Sequence, residues 1–275
     1  MKLQTIVDIS PSDWKIGYED KILMLGSCFS DEMGEQMKQR YLNVTCNPFG
    51  TLYNPLSIAN AINYKSQIIN HKFEIPLIEN EGLWHSMYHH GAFSRPTKEE
   101  TEQAVRESIQ TMQQALEEAT VVIVTFGTAW VYEMNGEIVG NCHKLPENQF
   151  TRRRLSMEEI VDAWKPIIAR YPEKHWLFTV SPIRHIKDGL HENEISKATL
   201  LLAVEQLGDY FPSYEILLDE LRDYRFYADD LVHPSSLAVQ YIWERFVDTL
   251  CTNQTKNELV LQHKRWKHEH HLPLH

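Results

Sequence analysis

The sequence predicts an α/β protein with a three-layer α/β/α fold around a mainly parallel sheet. Short apolar runs at 21–25, 121–126 and 176–180 are typical of buried strands. Helical patterns follow each of them, and alternating strands and helices favour a parallel sheet that is covered on both faces. No repeat or linker divides the 275 residues. We therefore expect one domain over 1–275, with an irregular insert at about 70–96 and a polar tail at about 252–275.

The first quarter of the chain predicts two strand–helix units. The apolar run 21–25 is a buried strand, and apolar residues at four-residue spacing favour a helix over 30–41. The β-favouring segment 42–46 is the second strand. A further helix is expected over 54–65, because it opens with Asn, a favoured N-cap, followed by Pro, a favoured first helical residue.

The middle of the chain predicts one long helix, the central strand and a hairpin. The insert at 70–96 has no clean period, and we expect it to fold over the edge of the site. A capping pattern at Thr97 opens a helix that runs to about 118. The continuous β-branched run 121–126 follows as a core strand, and an Asn-Gly turn within 131–139 indicates a hairpin.

The last third predicts two strands and three or four helices. A second capping pattern at Ser156 opens a helix ahead of Pro172, and a strand follows at 176–180. The remaining expected elements are a helix at 191–208, a last core strand at 214–218, a helix at 234–250 and a polar helical tail from Thr252.

The charge and the cysteines exclude several classes of function. The net charge of -11 argues against nucleic-acid binding, and the basic run Arg152 to Arg154 is expected to be solvated. Four separated cysteines without a CxxC pair argue against a disulfide scaffold or a zinc ribbon. We expect no cofactor and no metal, although His85 and His89 have helical spacing. Without a visible signal or a long apolar segment, a cytoplasmic protein that does not bind membranes is expected.

Residues capable of catalysis occur where the predicted strands end. Ligands of parallel sheets bind at the carboxyl ends of the strands. The first strand ends in Ser27 and Cys28, two possible nucleophiles. Near the other end of the chain, Asp230 precedes His233 by three residues, a spacing that lets a carboxylate orient an imidazole as a general base. The residues alone leave open which of Ser27 and Cys28 faces His233.

A family resemblance joins these two segments. The opening motif 26–29 and the Asp-x-x-His at 230–233 resemble the GSCFA family, which is related to the SGNH (GDSL-like) hydrolases. Ser30 stands where the family name has alanine. Three further stretches are similar to the family, at 47–50, 126–130 and 181–185, together with Asn141-Cys142-His143.

The resemblance implies roles for individual residues. It aligns Cys28 with the superfamily's nucleophile, with Ser27 as the alternative, and it makes Gly50 an oxyanion donor. The superfamily's asparagine after the third strand has no counterpart here, so Thr128 or Asn141 is the candidate substitute. Arg184 and His185 follow a strand end and are expected to bind a polar or anionic substrate group, and His143 is a further substrate-binding candidate.

These residues predict an esterase-like hydrolase that acts on an oxygen ester by nucleophile–His–Asp catalysis. The superfamily suggests an acyl group on a carbohydrate, so the expected partner is a small-molecule or carbohydrate ester, and the oligomeric state is open. One alternative is an acyltransferase that uses a thioester donor. Another is a binding module on a fold that has lost catalysis, which the missing asparagine favours.

Overall fold

A parallel sheet forms the centre of the molecule. The computed structural model describes residues 4–64 and 76–270. Five parallel strands form the sheet in the order β2-β1-β5-β9-β10. They are β1 (Lys21–Gly26), β2 (Asn43–Cys46), β5 (Val121–Phe126), β9 (His175–Val180) and β10 (Asp209–Phe211). Together with the helices below, this confirms the predicted three-layer α/β/α fold.

The strand order creates a topological switch point between β1 and β5. From β1 the chain moves outward to β2, then returns across the sheet to β5 on the other side of β1. In register, Gly26 pairs with Thr125. Crossovers leave in opposite directions at such a point, so the loops separate and leave a crevice at the carboxyl ends. The fold therefore places a ligand crevice beside the end of β1.

Helices cover both faces of the sheet because the strand residues alternate in direction. Leu23, Leu25 and Val124 contribute to one core, whereas Ile22 and Met24 contribute to the other. The first face carries α2 (Pro55–Asn63), α3 (Lys98–Glu118), α4 (Met157–Arg170) and α5 (Leu190–Val204). The second face carries α1 (Cys28–Lys38), α7 (Ser236–Leu250) and α8 (Asn253–Glu269).

The predicted N-terminal ends of the helices are confirmed at the level of individual hydrogen bonds. The Asn54 side chain accepts from the Ser57 N–H, with Pro55 opening α2. Ser156 and Glu159 form the complete capping box of α4. The predicted end of α2 near 65 lies outside the described residues, and the helix ends at Asn63.

Two antiparallel units stand outside the central sheet. The predicted hairpin consists of β6 (Trp130–Met134) and β7 (Glu137–Val139), and β8 (Thr151–Arg154) pairs with the other edge of β6. Asn135 and Gly136 both have positive φ, as an Asn-Gly type I′ turn requires. The described part of the irregular insert contains a second hairpin, β3 (Leu77–Asn80) and β4 (Leu83–Ser86).

The predicted strand at 214–218 is wrong. This segment is helical: α6 (Ser213–Glu215) continues into a π-helical turn, Ile216–Leu221, and the last sheet strand lies earlier, at β10. Its buried residues include Tyr214, Leu217 and Leu221, which have helical spacing. A short apolar run does not distinguish a buried strand from a buried helical turn, because both hide consecutive apolar residues.

None of the helices in the described ranges is both long enough and apolar enough to cross a membrane.

Candidate active site

The turn between β1 and α1 presents Cys28 at the crevice. Gly26 has φ 133°, and a Cβ there would lie 2.1 Å from the Thr125 carbonyl oxygen, so the turn requires glycine. Ser27 is the N-cap residue of α1, and Cys28 is its first residue. The backbone N–H groups of Cys28 and Phe29 act to lower the pKa of the Cys28 thiol. The sequence thus places the thiol at the N-terminus of a helix.

Neighbouring polar side chains hold this turn in place. Ser30 is fully buried, and its hydroxyl lies 2.8 Å from Thr125 Oγ1 and 3.2 Å from the Leu25 carbonyl oxygen. Asn47 Oδ1 accepts from the Gly26 N–H at 2.8 Å, and Asn47 Nδ2 donates to Asp31 at 2.9 Å. Serine in place of the alanine in the family name therefore connects α1 to the ends of β1 and β5.

A cavity of about 530 Å³ opens at this end of the sheet. Cys28 lines it on one side and His233 on another. An aromatic group lines it as well, formed by Tyr53, Trp130 and Tyr132. The remaining lining includes Thr128, Asn141, Cys142, Arg152, Arg184, His185, Lys187 and Asp188. The described part of the insert at 70–96 contributes no lining residue, but its Met87 carbonyl oxygen accepts from the N–H groups of Gly140 and Asn141, which line the cavity.

Asp230 and His233 form the pair that their spacing predicts. Asp230 Oδ2 lies 2.6 Å from His233 Nδ1, and Oδ1 accepts from the N–H groups of Val232 and His233 at 2.9 and 3.0 Å. These backbone bonds, and then the imidazole, hold the pKa of Asp230 at about 2. A carboxylate on Nδ1 leaves Nε2 of His233 for proton transfer.

Ser27 and Cys28 have different environments. Ser27 is fully buried, is absent from the cavity lining, and has a hydroxyl without a partner in the described part of the chain. Cys28 lines the cavity. Only the thiol therefore shares a cavity with His233.

The thiol of Cys28 is protonated at neutral pH. Burial, with smaller contributions from the nearby Asp31 and Glu32, raises its pKa to about 11, against the opposing effect of the N–H groups of Cys28 and Phe29. A helix N-terminus by itself lowers the pKa of a thiol, but here desolvation of a half-buried thiolate outweighs the attraction of the helix end.

Gly50 is not arranged as an oxyanion donor. Its N–H donates to the Asn47 carbonyl oxygen at 2.7 Å, and Gly50 is absent from the cavity lining. Its φ of 76° belongs to the tight turn after β2. The Gly50 N–H is therefore engaged within the turn, whereas the resemblance implied that it donates to the oxyanion.

Thr128 and Asn141, the two candidate substitutes, both line the cavity. Thr128 Oγ1 accepts from the Trp130 N–H at 3.1 Å and lies 3.2 Å from Ser196 Oγ. Asn141 Oδ1 accepts from the His143 N–H at 2.9 Å. Asn141 Nδ2 thus remains as a side-chain amide donor beside the cavity, whereas the Thr128 hydroxyl is bonded within the protein.

Arg184 and His185 lie beside the His233 loop. The Arg184 backbone N–H donates to the Val232 carbonyl oxygen, and Nη1 donates to that of Leu231, both at 3.1 Å. Burial, with smaller contributions from Lys197 and His233, lowers the pKa of His185 to about 3, so this imidazole is neutral. Arg184 therefore fixes the loop that carries the Asp230–His233 pair, in addition to lining the cavity.

His143 is directed away from the cavity. Its Nε2 lies 2.8 Å from the Ser86 carbonyl oxygen, and its ring stacks on His85 with the centroids 4.5 Å apart. It is absent from the cavity lining, so the structure does not bring it together with Cys28 and His233. Over 4–64 and 76–270, no group of three or more His, Cys, Asp or Glu side chains is arranged to hold a metal ion.

Two lining or supporting residues were not identified as functional from the sequence. Arg152, expected on a solvated face, lines the cavity, pairs with Asp188 through two bonds of 2.5 Å and lies 4.3 Å from the Trp130 ring centroid.

Lys197 is fully buried and donates to the carbonyl oxygens of Gly127 and Ser181, each at 2.7 Å. A signal existed for Lys197: it falls on the apolar stripe of its predicted helix.

Comparison with known proteins identifies the family. The sequence profile of the GSCFA family matches residues 21–246, which is more than half of the chain. No curated protein matches the chain in a sequence comparison. The matched range includes both the turn at Gly26 and the Asp230–His233 pair. The chain belongs to the GSCFA family.

Proposed function

We propose that this protein hydrolyses oxygen esters, with Cys28 as nucleophile, His233 as general base and Asp230 as the residue that orients His233. One observation carries the proposal: an imidazole held by a carboxylate at 2.6 Å lines the same cavity as the thiol at the start of α1. A nucleophile, a base and an orienting acid are the parts that acyl transfer requires.

The high pKa of Cys28 means that the thiol loses its proton during the attack on the ester and not before it. Because the thiol is protonated, His233 Nε2 accepts its proton as the sulfur attacks the acyl carbon. The S–C bond forms, the ester C–O bond breaks, and the proton passes to the leaving alcohol. Water then attacks the thioester with His233 again as base, which releases the acid and restores the thiol.

The N-terminal end of α1 supports stabilisation of the developing oxyanion. The backbone N–H groups of Cys28 and Phe29 favour negative charge at the sulfur, and the positive end of the helix dipole favours it as well. Asn141 Nδ2 is the side-chain donor we assign, in place of Gly50. Membership of the SGNH superfamily belongs to the same proposal, supported by the strand order and by a nucleophile after the first strand.

A carbohydrate ester is the substrate class that the cavity walls favour. Tyr53, Trp130 and Tyr132 offer flat aromatic surfaces, on which the apolar faces of sugar rings pack. The cavity volume of about 530 Å³ is within the usual range for small-molecule sites.

The test is hydrolysis of a panel of acetyl esters, including acetylated sugars, by the wild type and matched variants. We expect Cys28→Ala and His233→Ala to lower kcat/KM by at least about a thousandfold. The control Ser27→Ala alters the neighbouring buried hydroxyl and should retain most of the activity. Unchanged activity in either of the first two variants would exclude the assigned mechanism.

Ligand binding without catalysis is the second candidate, and the engaged Gly50 N–H favours it. It predicts no turnover of any ester and equal ligand affinity in the wild type and Cys28→Ala. Transfer from a thioester donor would use the same residues, and release of free thiol from acetyl-coenzyme A would distinguish it from hydrolysis.

A further inference from the structure

Among the side chains that line the cavity, cationic ones outnumber acidic ones, the reverse of the balance in the whole chain. The chain carries a net charge of -11. The cavity is lined by three cationic side chains, Arg152, Arg184 and Lys187, and by one acidic side chain, Asp188. A local excess of positive charge inside an acidic protein attracts anions to that place, because low-dielectric walls concentrate the field.

Arg184 differs from the other two cations in having no carboxylate partner. Arg152 is bound by Asp188 through two bonds of 2.5 Å, and Lys187 lies 3.3 Å from Glu147. Arg184 forms no ion pair with any side chain of the described residues. Within those residues the Arg184 side chain makes one hydrogen bond, in which Nη1 donates to the Leu231 carbonyl oxygen. A guanidinium has five N–H donors, so most of them are left for a ligand.

The position of the Arg184 guanidinium is fixed. Its central carbon lies 5.2 Å from the Tyr227 ring centroid and 5.8 Å from that of Tyr224. Together with the bond to Leu231, these contacts hold the planar group beside the loop that carries His233. A preorganised guanidinium loses little freedom when it binds a planar anion by two parallel hydrogen bonds.

We propose that the substrate of this site carries a carboxylate, which Arg184 binds close to the scissile ester. The inference rests on the proposed function for the identity of the reacting group. Arg184 is adjacent to Leu231 and Val232, so the bound carboxylate lies at the His233 end of the cavity, and the aromatic walls contact the body of the substrate. Acylated hydroxy acids and acylated uronic-acid sugars have this arrangement.

The first experiment compares two acetyl esters that differ in charge, 4-acetoxybenzoate and the neutral 4-acetoxybenzamide. We measure the ratio of their kcat/KM values in the wild type, Arg184→Gln and Arg184→Lys. We expect Arg184→Gln to lower the ratio by about two- to fivefold, the usual value of one partly exposed ion pair, with partial recovery in Arg184→Lys. Displacement of the His233 loop would lower both kcat/KM values and leave the ratio unchanged.

The matched control is Arg106→Gln, which removes an exposed arginine of α3 outside the cavity. It should leave the ratio at the wild-type value. A ratio that Arg184→Gln does not change, or that Arg106→Gln changes equally, would overturn the assignment of Arg184.

The second experiment separates this inference from the proposed function, because it needs no turnover. Calorimetry measures binding of 4-acetamidobenzoate and of the neutral 4-acetamidobenzamide, neither of which contains an ester. We expect the wild type to bind the anion about two- to fivefold more tightly and Arg184→Gln to lose that preference. Anion-selective binding without ester turnover would reject the hydrolase and support the carboxylate site. Turnover of both esters with equal binding would reject the carboxylate site alone.

Discussion

At the scale of single residues, the Asp230–His233 pair is the best-defined chemical unit of the site. One carboxylate oxygen accepts two backbone N–H groups and the other contacts Nδ1 of the imidazole. The backbone bonds fix the carboxylate, and the carboxylate fixes the ring. Asp230 therefore acts on the reaction through the orientation of His233.

Replacing Asp230 with Asn tests this role. The amide preserves the shape of the side chain but removes the charge that favours one tautomer and stabilises the imidazolium. We expect kcat to fall by about a hundred- to ten-thousandfold. Steady-state kinetics on the best acetyl ester measures it, with Asp229→Asn as the neighbouring control. Equal losses in both variants would contradict the assigned pairing.

The protonation of Cys28 gives a pH-dependent prediction. A pKa of about 11 means that the reactive thiolate becomes more abundant with each unit of rising pH across the neutral range. We expect the rate of iodoacetamide labelling at Cys28 to rise about tenfold per pH unit from pH 7 to 9. Mass spectrometry of the Cys28 peptide follows the rate, with Cys142 as internal reference. A rate that levels off near pH 7 would instead indicate a thiolate stabilised by His233.

At the scale of elements, Lys197 connects the ends of two strands. Its ammonium group, on α5, bonds the Gly127 carbonyl oxygen beyond β5 and the Ser181 carbonyl oxygen beyond β9. The same strand ends lead to Thr128 and Arg184. A buried donor that holds both loops together therefore positions two walls of the cavity.

Substituting Lys197 with Met removes this connection. Two buried carbonyl groups lose a partner, while the cost of burying the amine disappears. We expect a net loss of about 1–3 kcal/mol in the free energy of unfolding at pH 7. Urea denaturation measures the loss, with Lys165→Met, an exposed position of α4, as control. A variant as stable as the wild type would show that the two bonds contribute nothing net.

The same lysine predicts how the stability depends on pH. Burial lowers the pKa of Lys197 to about 7, whereas an unfolded lysine keeps its proton until about pH 10.4. Between these values the unfolded state binds more protons, so the free energy of unfolding rises with pH. The difference between wild type and Lys197→Met should grow by up to about 1.4 kcal/mol per pH unit from pH 7 to 9. A difference that is constant across this range would contradict the lowered pKa.

At the scale of the whole molecule, the helices pack on the sheet through two hydrophobic cores, one on each face. The larger core contains Trp164 of α4, which is fully buried among Phe126, Trp176 and Phe178. Its indole N–H donates to the Pro55 carbonyl oxygen at 3.1 Å, which connects α4 to the start of α2. One side chain thus joins the sheet and two helices.

Truncation of Trp164 to Ala is expected to cost about 3–5 kcal/mol, through lost burial and the remaining cavity. Thermal and urea unfolding measure the change. The control is Leu237→Ala, because Leu237 is 61% exposed on α7. A loss below about 1 kcal/mol would mean that the surrounding aromatic rings close the space.

The sequence predicted the regular elements well where two signals agreed. Val121–Phe126 was recognisable because it is continuous, β-branched and ends at glycine, and Asn54 and Ser156 were recognisable as caps because they have the required side chains at the required spacing. The prediction of a strand at 214–218 is wrong because the segment is a short apolar run, and a short run has no period that distinguishes a strand from a helix. Burial alone does not select between a strand and a helical turn.

In the candidate site, too, the sequence predicted the contacts that depend on short spacing. Asp230 and His233 interact across three residues, so their pairing depends on local geometry that the spacing encodes. Gly50 and His143 were misplaced because the partners that engage them, Asn47 and Ser86, are set by turns and packing. The place of Arg152 in the cavity lining depends on the packing of β8 against the hairpin and on its pairing with Asp188.

By itself, the sequence determined the layered fold, the strand ends where chemistry is expected, and the Asp-x-x-His unit, because each depends on periodicity or short spacing. Tertiary structure decided the rest. It buried Ser27 while exposing Cys28 to the cavity, raised the pKa of that thiol, and gathered cations inside an acidic protein. These properties depend on desolvation and on distances between residues far apart in the chain, and the linear order of residues does not specify either.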